Sequence, residues 1–270
     1  WFSVRRSRKC KRRVVSLPTL YPQKNYKGDI LPMTPKMQTQ IPQQKTTLPI
    51  STRDRCHYSR SQFFDFDLEQ GKIRDYNQQR NILVGEDFIV SLLKGLEHEV
   101  GDAAGWLLYE IGLDWGKQDA VLFQSWFKEL YGLTLETSNL AFAMETWWWP
   151  YTVQGWGTWA PNLSSQASGF IYVDLFDSAV AKTLGYVGKP VCHLYAGILA
   201  GFFSVAFSQQ LCSTEIQCYA MGNDFCRFLI GSNERIKAAE FWISSGANAN
   251  EIATRFEHRE IAPEPELLLR

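Results

Sequence analysis

The chain has 270 residues, 45% of them apolar, which is enough for one large domain or two small ones with a proper core. Its formal net charge is zero, but residues 1–57 hold thirteen Lys/Arg and two Asp/Glu, whereas residues 58–270 hold fifteen and twenty-six. The sequence contains no run of eighteen apolar residues, so no bilayer-spanning helix is predicted. Its six cysteines are unevenly spaced, which is not the pattern of a secreted disulfide scaffold. Because the chain begins at Trp1 rather than Met, a targeting segment before it would not be visible.

Residues 1–60 are predicted to form an extended, basic, Pro/Gln-rich arm. They hold six of the eleven prolines and few apolar periodicities, so they bury too little surface to offset the conformational entropy of folding. We expect the arm to dock onto subunits of a larger protein complex, and nucleic acid or an anionic membrane surface is a weaker candidate partner. A solvated tail is the alternative. The arm's leading cations are Arg5, Arg6, Arg8, Lys9, Lys11, Arg12 and Arg13.

The next elements are predicted from periodicity. Residues 63–84 alternate apolar and polar side chains around a Glu-Gln-Gly turn, which is typical of a hairpin. Residues 85–132 have helical spacing, with Phe88, Leu92, Leu96 and Val100 as one apolar stripe. Glycines at 101, 116 and 132 interrupt this pattern, so two or three consecutive helices are expected.

The second half of the chain is rich in aromatic residues. Five tryptophans lie within the thirteen residues 147–159, where they could form a core, line a pocket or present an interface. The stretch 169–186 indicates a strand and then a helix, and 192–207 indicates a helix in which Gly197 and Gly201 would let another element approach closely. Two strands around Met-Gly-Asn and a further helical segment after Gly231 complete the pattern.

Three of the six cysteines lie in "CSTEIQCYAMGNDFC", residues 212–226. A hairpin centred on Gly222 would pair residues whose numbers sum to 444, so Cys218 would face Cys226, and Ile216 would face Phe228. Two facing thiols could form a disulfide, bind a metal with further ligands, or pack as small apolar groups.

Zinc prefers four ligands, typically Cys, His or carboxylate. Cys192, at the start of the preceding helix, and Glu215 could complete such a set. Glu215 and Cys218 are three residues apart, so a regular strand would point them to opposite faces. The hairpin must therefore be bulged or twisted if both are to bind one ion.

The order of these motifs resembles the V4R (4-vinyl reductase) domain family. The resemblance covers about residues 62–232 and is most specific where a Gly-x-x-x-Gly helix precedes Glu-x-x-Cys-x-x-x-Gly-x-x-x-Cys-x-Phe. It implies an α/β fold, an antiparallel sheet packed with helices, shared with phenol-sensor domains and Bet3-type TRAPP subunits. The expected organisation is an arm at 1–60, the V4R domain at 61–232, and a C-terminal helix and tail at 233–270. The matching residues are Gly197, Gly201, Glu215, Cys218, Gly222, Cys226 and Phe228.

The resemblance also implies a site. In the phenol sensors, a Cys, Glu, Cys, Cys pattern binds a structural zinc beside an aromatic ligand pocket, which carries over to Cys192, Glu215, Cys218 and Cys226. A vacant, reduced cysteine cluster is the alternative, since other members of the fold lack metal. A pocket for an apolar ligand such as a phenol, a tetrapyrrole or an isoprenoid tail is expected from aromatic residues of the same region. These are Trp106, Trp115, Trp126, Trp156, Trp159 and Tyr172.

The sequence contains no Gly-x-Gly-x-x-Gly motif opening a helix, no flavin or iron–sulfur pattern and no arguable catalytic triad. We therefore expect a non-catalytic protein that binds a hydrophobic ligand. From the resemblance, its role would be assembly or structure of a photosynthetic pigment–protein complex, in the cytoplasm or stroma and peripheral to a thylakoid-type membrane. The alternatives are a small-molecule sensor with a regulatory or nucleic-acid partner, for which no helix-turn-helix is visible, and a reductase of (bacterio)chlorophyll synthesis.

Overall fold

The computed structural model describes residues 63–258, which lie within one folding unit. The predicted arm with its seven leading cations, Cys10, Cys56 and the last twelve residues lie outside the described region. In chain order the elements are β1 (Phe64–Asp67), β2 (Lys72–Asp75), β3 (Arg80–Asn81), α1 (Glu86–Val100), α2 (Ala103–Tyr131), α3 (Leu140–Val153), β4 (Thr158–Asn162), β5 (Ile171–Phe176), α4 (Ala179–Leu184), α5 (His193–Ala206), β6 (Cys212–Gln217), β7 (Cys226–Gly231), α6 (Asn233–Ser244) and α7 (Ala249–Glu257).

The predicted N-terminal hairpin is confirmed. Strands β1 and β2 pair antiparallel from Phe64 with Asp75 to Asp67 with Lys72, and β3 adds a short third strand. The buried carboxylate of Asp75 accepts hydrogen bonds from the backbone N–H groups of Asn77 and Gln79, at 2.9 and 3.0 Å. This side chain therefore fixes the turn between β2 and β3.

The main sheet has the strand order β4-β5-β7-β6, and every neighbouring pair is antiparallel. Side chains alternate along the central strand β5, so Val173 and Leu175 face the larger core under the helices, whereas Tyr172 faces a second core on the opposite side. The predicted fold class, an antiparallel sheet packed with helices, is thus confirmed over the described residues.

Helices α2 and α5 cross at very close range. A Cβ atom added to Gly197 or Gly201 of α5 would lie 2.1 or 2.2 Å from a backbone oxygen of α2. Reciprocally, a Cβ on Gly112 or Gly116 of α2 would lie 2.2 or 2.1 Å from a backbone oxygen of α5. The predicted close approach at Gly197 and Gly201 is confirmed, but the predicted helix break at Gly116 is wrong, because this glycine serves the crossing inside one continuous helix.

The apolar stripe predicted for α1 is largely on the surface. Phe88 is 55% exposed, and Leu92 and Val100 are exposed as well. The helix instead buries Val90 and Leu93. Periodicity located the helix but not the face that packs inward.

The segment after residue 232 forms two helices and not one. Helix α6 starts at the N-cap Ser232, and α7 starts at a capping box formed by Asn248 and Glu251. Both pack on the outer face of the sheet, where Trp242 and Ile252 join the second core with Tyr172. Within residues 63–258, no helix combines the length and apolar character needed to cross a membrane.

Candidate functional site

Helix α5 and strands β6 and β7 bring three cysteine thiols and one glutamate carboxyl group together in the core. Cys192 is the N-cap of α5, Glu215 lies in β6, Cys218 follows β6 directly, and Cys226 starts β7. One ligand atom of each lies within 4.8 Å of the others, and all four residues are buried. The cluster could therefore hold a metal ion.

A β-bulge makes this arrangement possible. Glu215 pairs with Phe228, but Gln217 pairs with Arg227, so Ile216 is an extra residue in β6. The predicted partnership of Ile216 with Phe228 is therefore wrong. The extra residue turns Glu215 and Cys218 toward the same site, which is the irregularity that the sequence required.

The sulfur positions fit a metal better than a disulfide. The Sγ atoms of Cys192 and Cys226 are 3.8 Å apart, as are those of Cys226 and Cys218. A tetrahedral zinc with Zn–S bonds of about 2.3 Å places two sulfurs about 3.8 Å apart, whereas a disulfide joins them at about 2.05 Å. All three cysteines are free thiols.

Glu215 has one oxygen committed and one available. Its Oε2 accepts hydrogen bonds from the backbone N–H groups of Val191 and Cys192, at 3.1 and 2.9 Å. Its Oε1 is buried and has no hydrogen-bond partner, and a buried acceptor without a partner is costly. The chemistry of the donor set therefore fits a metal ion that Oε1 would help to bind.

Burial also governs the protonation of this cluster. Burial raises the pKa of the Cys192 thiol and of the Glu215 carboxyl well above their ordinary values. Hydrogen bonds from Cys192 and Cys226 lower the pKa of the Cys218 thiol. Without a counter-charge, burial thus keeps most of these groups protonated. A bound divalent cation would favour their ionised forms.

A second feature, the aromatic cluster, lies between α3, β4 and α5. A small apolar cavity of about 10 Å³ is lined by Trp147, Trp148, Tyr151, Trp159, Tyr195, Ile198 and Leu199. Trp159 packs edge-on against Tyr195 with ring centroids 5.5 Å apart. The Nε1–H of Trp159 is buried and has no hydrogen-bond partner, so the cluster holds an unused donor.

The segment that carries the cysteine cluster matches a known domain family. Residues 171–232 match the V4R domain family. The predicted resemblance to this family is therefore confirmed for the segment that carries Cys192, Glu215, Cys218 and Cys226.

One curated relative is the uncharacterized protein MJ1642 of Methanocaldococcus jannaschii, which is 34% identical over 76 residues. The aligned part covers 28% of this chain and 47% of the relative, so the chain spans about half of that relative's length.

Solved structures similar to this chain include the phenol-responsive sensory domain of the transcription activator PoxR, crystallised with phenol. Its TM-score is 0.54 at 21% identity, and the likeness covers 72% of this chain and 94% of that one, which shows a shared fold. A trafficking protein particle complex subunit 3 from Naegleria fowleri, covalently bound to palmitic acid, matches with a TM-score of 0.42 at 12% identity over 54% of this chain and 91% of its own. At that score the second likeness carries no inference.

The structure brings together only part of the predicted V4R ligand pocket. Trp115, Trp156 and Trp159 lie in or beside the aromatic cluster, where the rings of Trp115 and Trp156 have centroids 5.6 Å apart. Trp106 is 63% exposed and borders a different cleft. Tyr172 lies on the opposite face of the sheet.

Trp126 is the sixth predicted pocket residue. It packs against Phe123 and Tyr76, with ring centroids 5.0 and 5.9 Å away. Neither contact involves a residue that lines the small cavity.

Sequence reasoning missed the residues that build the inner wall of the aromatic cluster. Trp147 and Tyr151 both hydrogen-bond to one carboxylate oxygen of Asp119, through Nε1 at 2.6 Å and through the hydroxyl at 2.9 Å. Burial raises the pKa of Asp119. The sequence holds one signal for this contact. Asp119 is an acidic residue on the same face of α2 as the buried residues Gly116 and Phe123.

Proposed function

We propose that residues 63–258 form a non-catalytic V4R-type binding domain that takes up a small aromatic molecule in the aromatic cluster. The observation that carries the proposal is the unpartnered Nε1–H of Trp159 beside a cavity lined only by aromatic and aliphatic side chains. A ligand with one ring and one oxygen would satisfy both features, because its ring replaces apolar contacts and its oxygen accepts the hydrogen bond.

Size narrows the class of ligand. Benzene is taken up by an apolar protein cavity of roughly 150 Å³, and the cavity here is about 10 Å³. Binding thus requires wall side chains to move, and a single ring demands less movement than a tetrapyrrole. The fold shared with the phenol-responsive domain supports a phenol as the first candidate.

Phenol binding tests this assignment. We expect calorimetric titration to show that the chain binds phenol in preference to benzene, since only phenol offers an oxygen to Trp159. Trp159→Phe keeps most of the apolar surface but removes the donor, so it should lower the affinity for phenol about tenfold. Trp242→Phe, in the second core, should leave the preference intact. Equal affinities for the two ligands in the parent chain would contradict the proposal.

The proposal includes a structural zinc at Cys192, Glu215, Cys218 and Cys226. These residues come from β6, β7 and the start of α5, so the ion would join the hairpin to the helix. Bound there, the metal would supply cross-linking and charge neutralisation.

Metal content tests the zinc assignment. Elemental analysis should find about one zinc per chain. Cys218→Ser should remove it and lower the free energy of unfolding by roughly 2–5 kcal/mol, as the loss of another cross-link does. Cys212→Ser is the matched control, because the Cys212 sulfur lies against Asn233, outside the cluster. Metal retained in Cys218→Ser would refute the ligand set.

For the cellular role we retain assembly or structure of a photosynthetic pigment–protein complex, peripheral to a thylakoid-type membrane, which rests on the family resemblance. Purification of the tagged chain with photosystem or antenna subunits would support it. Recovery of the chain without such subunits or pigment would favour the alternative of a small-molecule sensor. Turnover of a divinyl tetrapyrrole with a nicotinamide or ferredoxin donor would instead establish a reductase.

A further inference from the structure

A large cleft is present that is separate from the aromatic cavity. It has a volume of about 630 Å³, and its walls are the α1–α2 junction, the segment before α5, strand β6 and helix α6. Small-molecule sites typically occupy about 300–1,000 Å³. None of the residues that line the aromatic cavity lines this cleft.

The cleft contains a buried hydroxyl without a partner. Ser213 lines it, is only 3% exposed, and its Oγ makes no hydrogen bond. Its backbone N–H is occupied, because it donates to the hydroxyl of Tyr109 at 3.4 Å. A buried hydroxyl without a hydrogen-bond partner is unfavourable, so a bound polar group that pairs with it would be favoured.

The charge of the lining selects a cation. Glu97 is paired with Lys189 at 2.9 Å. Glu215 belongs to the cysteine cluster and is not counted here. The other carboxylates that line the cleft are Asp102, Glu110 and Glu240. The ammonium group of Lys237 is the one remaining positive charge in this lining. The lining therefore has an excess of two negative charges and would repel an anion.

An aromatic side chain stands at the same cleft. Trp106 is 63% exposed although it lines the cleft. An exposed indole can stack on an aromatic ligand and attract a cation to its face. Such a ligand contact would account for a large apolar side chain, Trp106, at the polar edge of the cleft.

We propose that this cleft is a second ligand site, for a small molecule that carries a protonated amine on an aromatic body. The amine lies among Glu240, Glu110 and Asp102, the ring packs on Trp106, and Ser213 Oγ supplies a hydrogen bond at the base. This site is independent of the one proposed for phenol.

Tryptamine and indole-3-acetate test the charge preference, because they share a ring and differ in the sign of the side-chain charge. Calorimetry on the 270-residue chain should show tryptamine binding at least tenfold more tightly than indole-3-acetate. Saturating phenol should leave tryptamine affinity unchanged, since the two cavities share no lining residue. Equal affinity for both indoles, no detectable tryptamine binding, or competition by phenol would overturn the proposal.

Variants locate the site. Glu240→Gln removes one charge from the exposed surface of α6 and should weaken tryptamine binding about fivefold, and Ser213→Ala should weaken it by a similar factor with metal content unchanged. Glu145→Gln removes an exposed charge on α3, away from the cleft, and should have no effect. Unaltered tryptamine affinity in Glu240→Gln would place the ligand elsewhere.

Discussion

Asp119 is a partly buried carboxylate in an aromatic environment. One of its oxygens accepts hydrogen bonds from both Trp147 and Tyr151, which line the aromatic cavity. Burial raises its pKa more than these two hydrogen bonds lower it. The folded state therefore binds the proton more tightly than the unfolded chain, and ionisation of Asp119 reduces stability as the pH rises above its ordinary pKa of 3.8.

Asp119→Asn should reverse this dependence. The amide oxygen can accept both hydrogen bonds, and no charge has to be buried. Relative to the parent chain, we expect the variant to gain stability as the pH is raised from below 4 to neutrality, measured as the difference in free energy of unfolding in urea. Asp114→Asn, at an exposed position of the same helix, controls for the lost charge. A difference that stays constant with pH would contradict the expectation.

Single residues also show what could be predicted from the sequence. The four predicted metal-ligand candidates lie together. Glu215, Cys218 and Cys226 share one short motif that constrains their positions, whereas the assignment of Cys192 to the set depends on the family resemblance. The six pocket candidates were chosen by type alone, and the structure separates Trp106 and Tyr172 from the aromatic cluster. An aromatic side chain fits a core, a pocket or a surface equally well until the packing of distant elements is known.

The crossing of α2 and α5 depends on helix backbones in contact. Gly197 lies where an added Cβ would meet the carbonyl oxygen of Tyr109 at 2.1 Å, a separation that real atoms do not tolerate. Because backbone atoms are involved, a larger side chain must separate the two helices.

Gly197→Ala should therefore lower the free energy of unfolding by about 2 kcal/mol or more, as overpacked cores do. Gly95→Ala is the matched control, since Gly95 also lies inside a helix but an added Cβ there meets nothing within 4 Å. This control should gain about 0.5–1 kcal/mol from the higher helix propensity of alanine. Chemical denaturation of both variants measures the contrast, and equal effects would refute the role of the crossing.

The four-stranded sheet of the described region is covered on both faces. Strand β7 shows this directly, since Phe228 faces the larger core and Leu229 faces the core under α6 and α7. The two helices within residues 233–257 therefore pack on the same sheet as the elements that precede them. The resemblance ended near residue 232, and a family pattern cannot report packing by residues outside it.

Truncation tests this arrangement. A chain ending at Ser232 would expose Tyr172, Ile216 and Leu229 to water, so we expect loss of cooperative thermal unfolding followed by circular dichroism, and aggregation. A chain ending at His258 keeps both helices and should unfold like the parent. Cooperative unfolding of the shorter chain at the parental midpoint would show that the second core is dispensable.

The sequence by itself determined the fold class, the hairpin that carries the cysteines, the close approach at Gly197 and the need for an irregular strand between Glu215 and Cys218. The hairpin, the close approach and the irregular strand follow from local periodicity and spacing, which the backbone geometry of strands and helices converts into direction. The fold class follows from the family resemblance. Only the tertiary structure decided that Gly116 lies inside a helix, which tryptophans share a cavity, and that Ser213 lines an acidic cleft. Those properties depend on contacts between residues far apart in the chain, and side-chain type alone does not determine them.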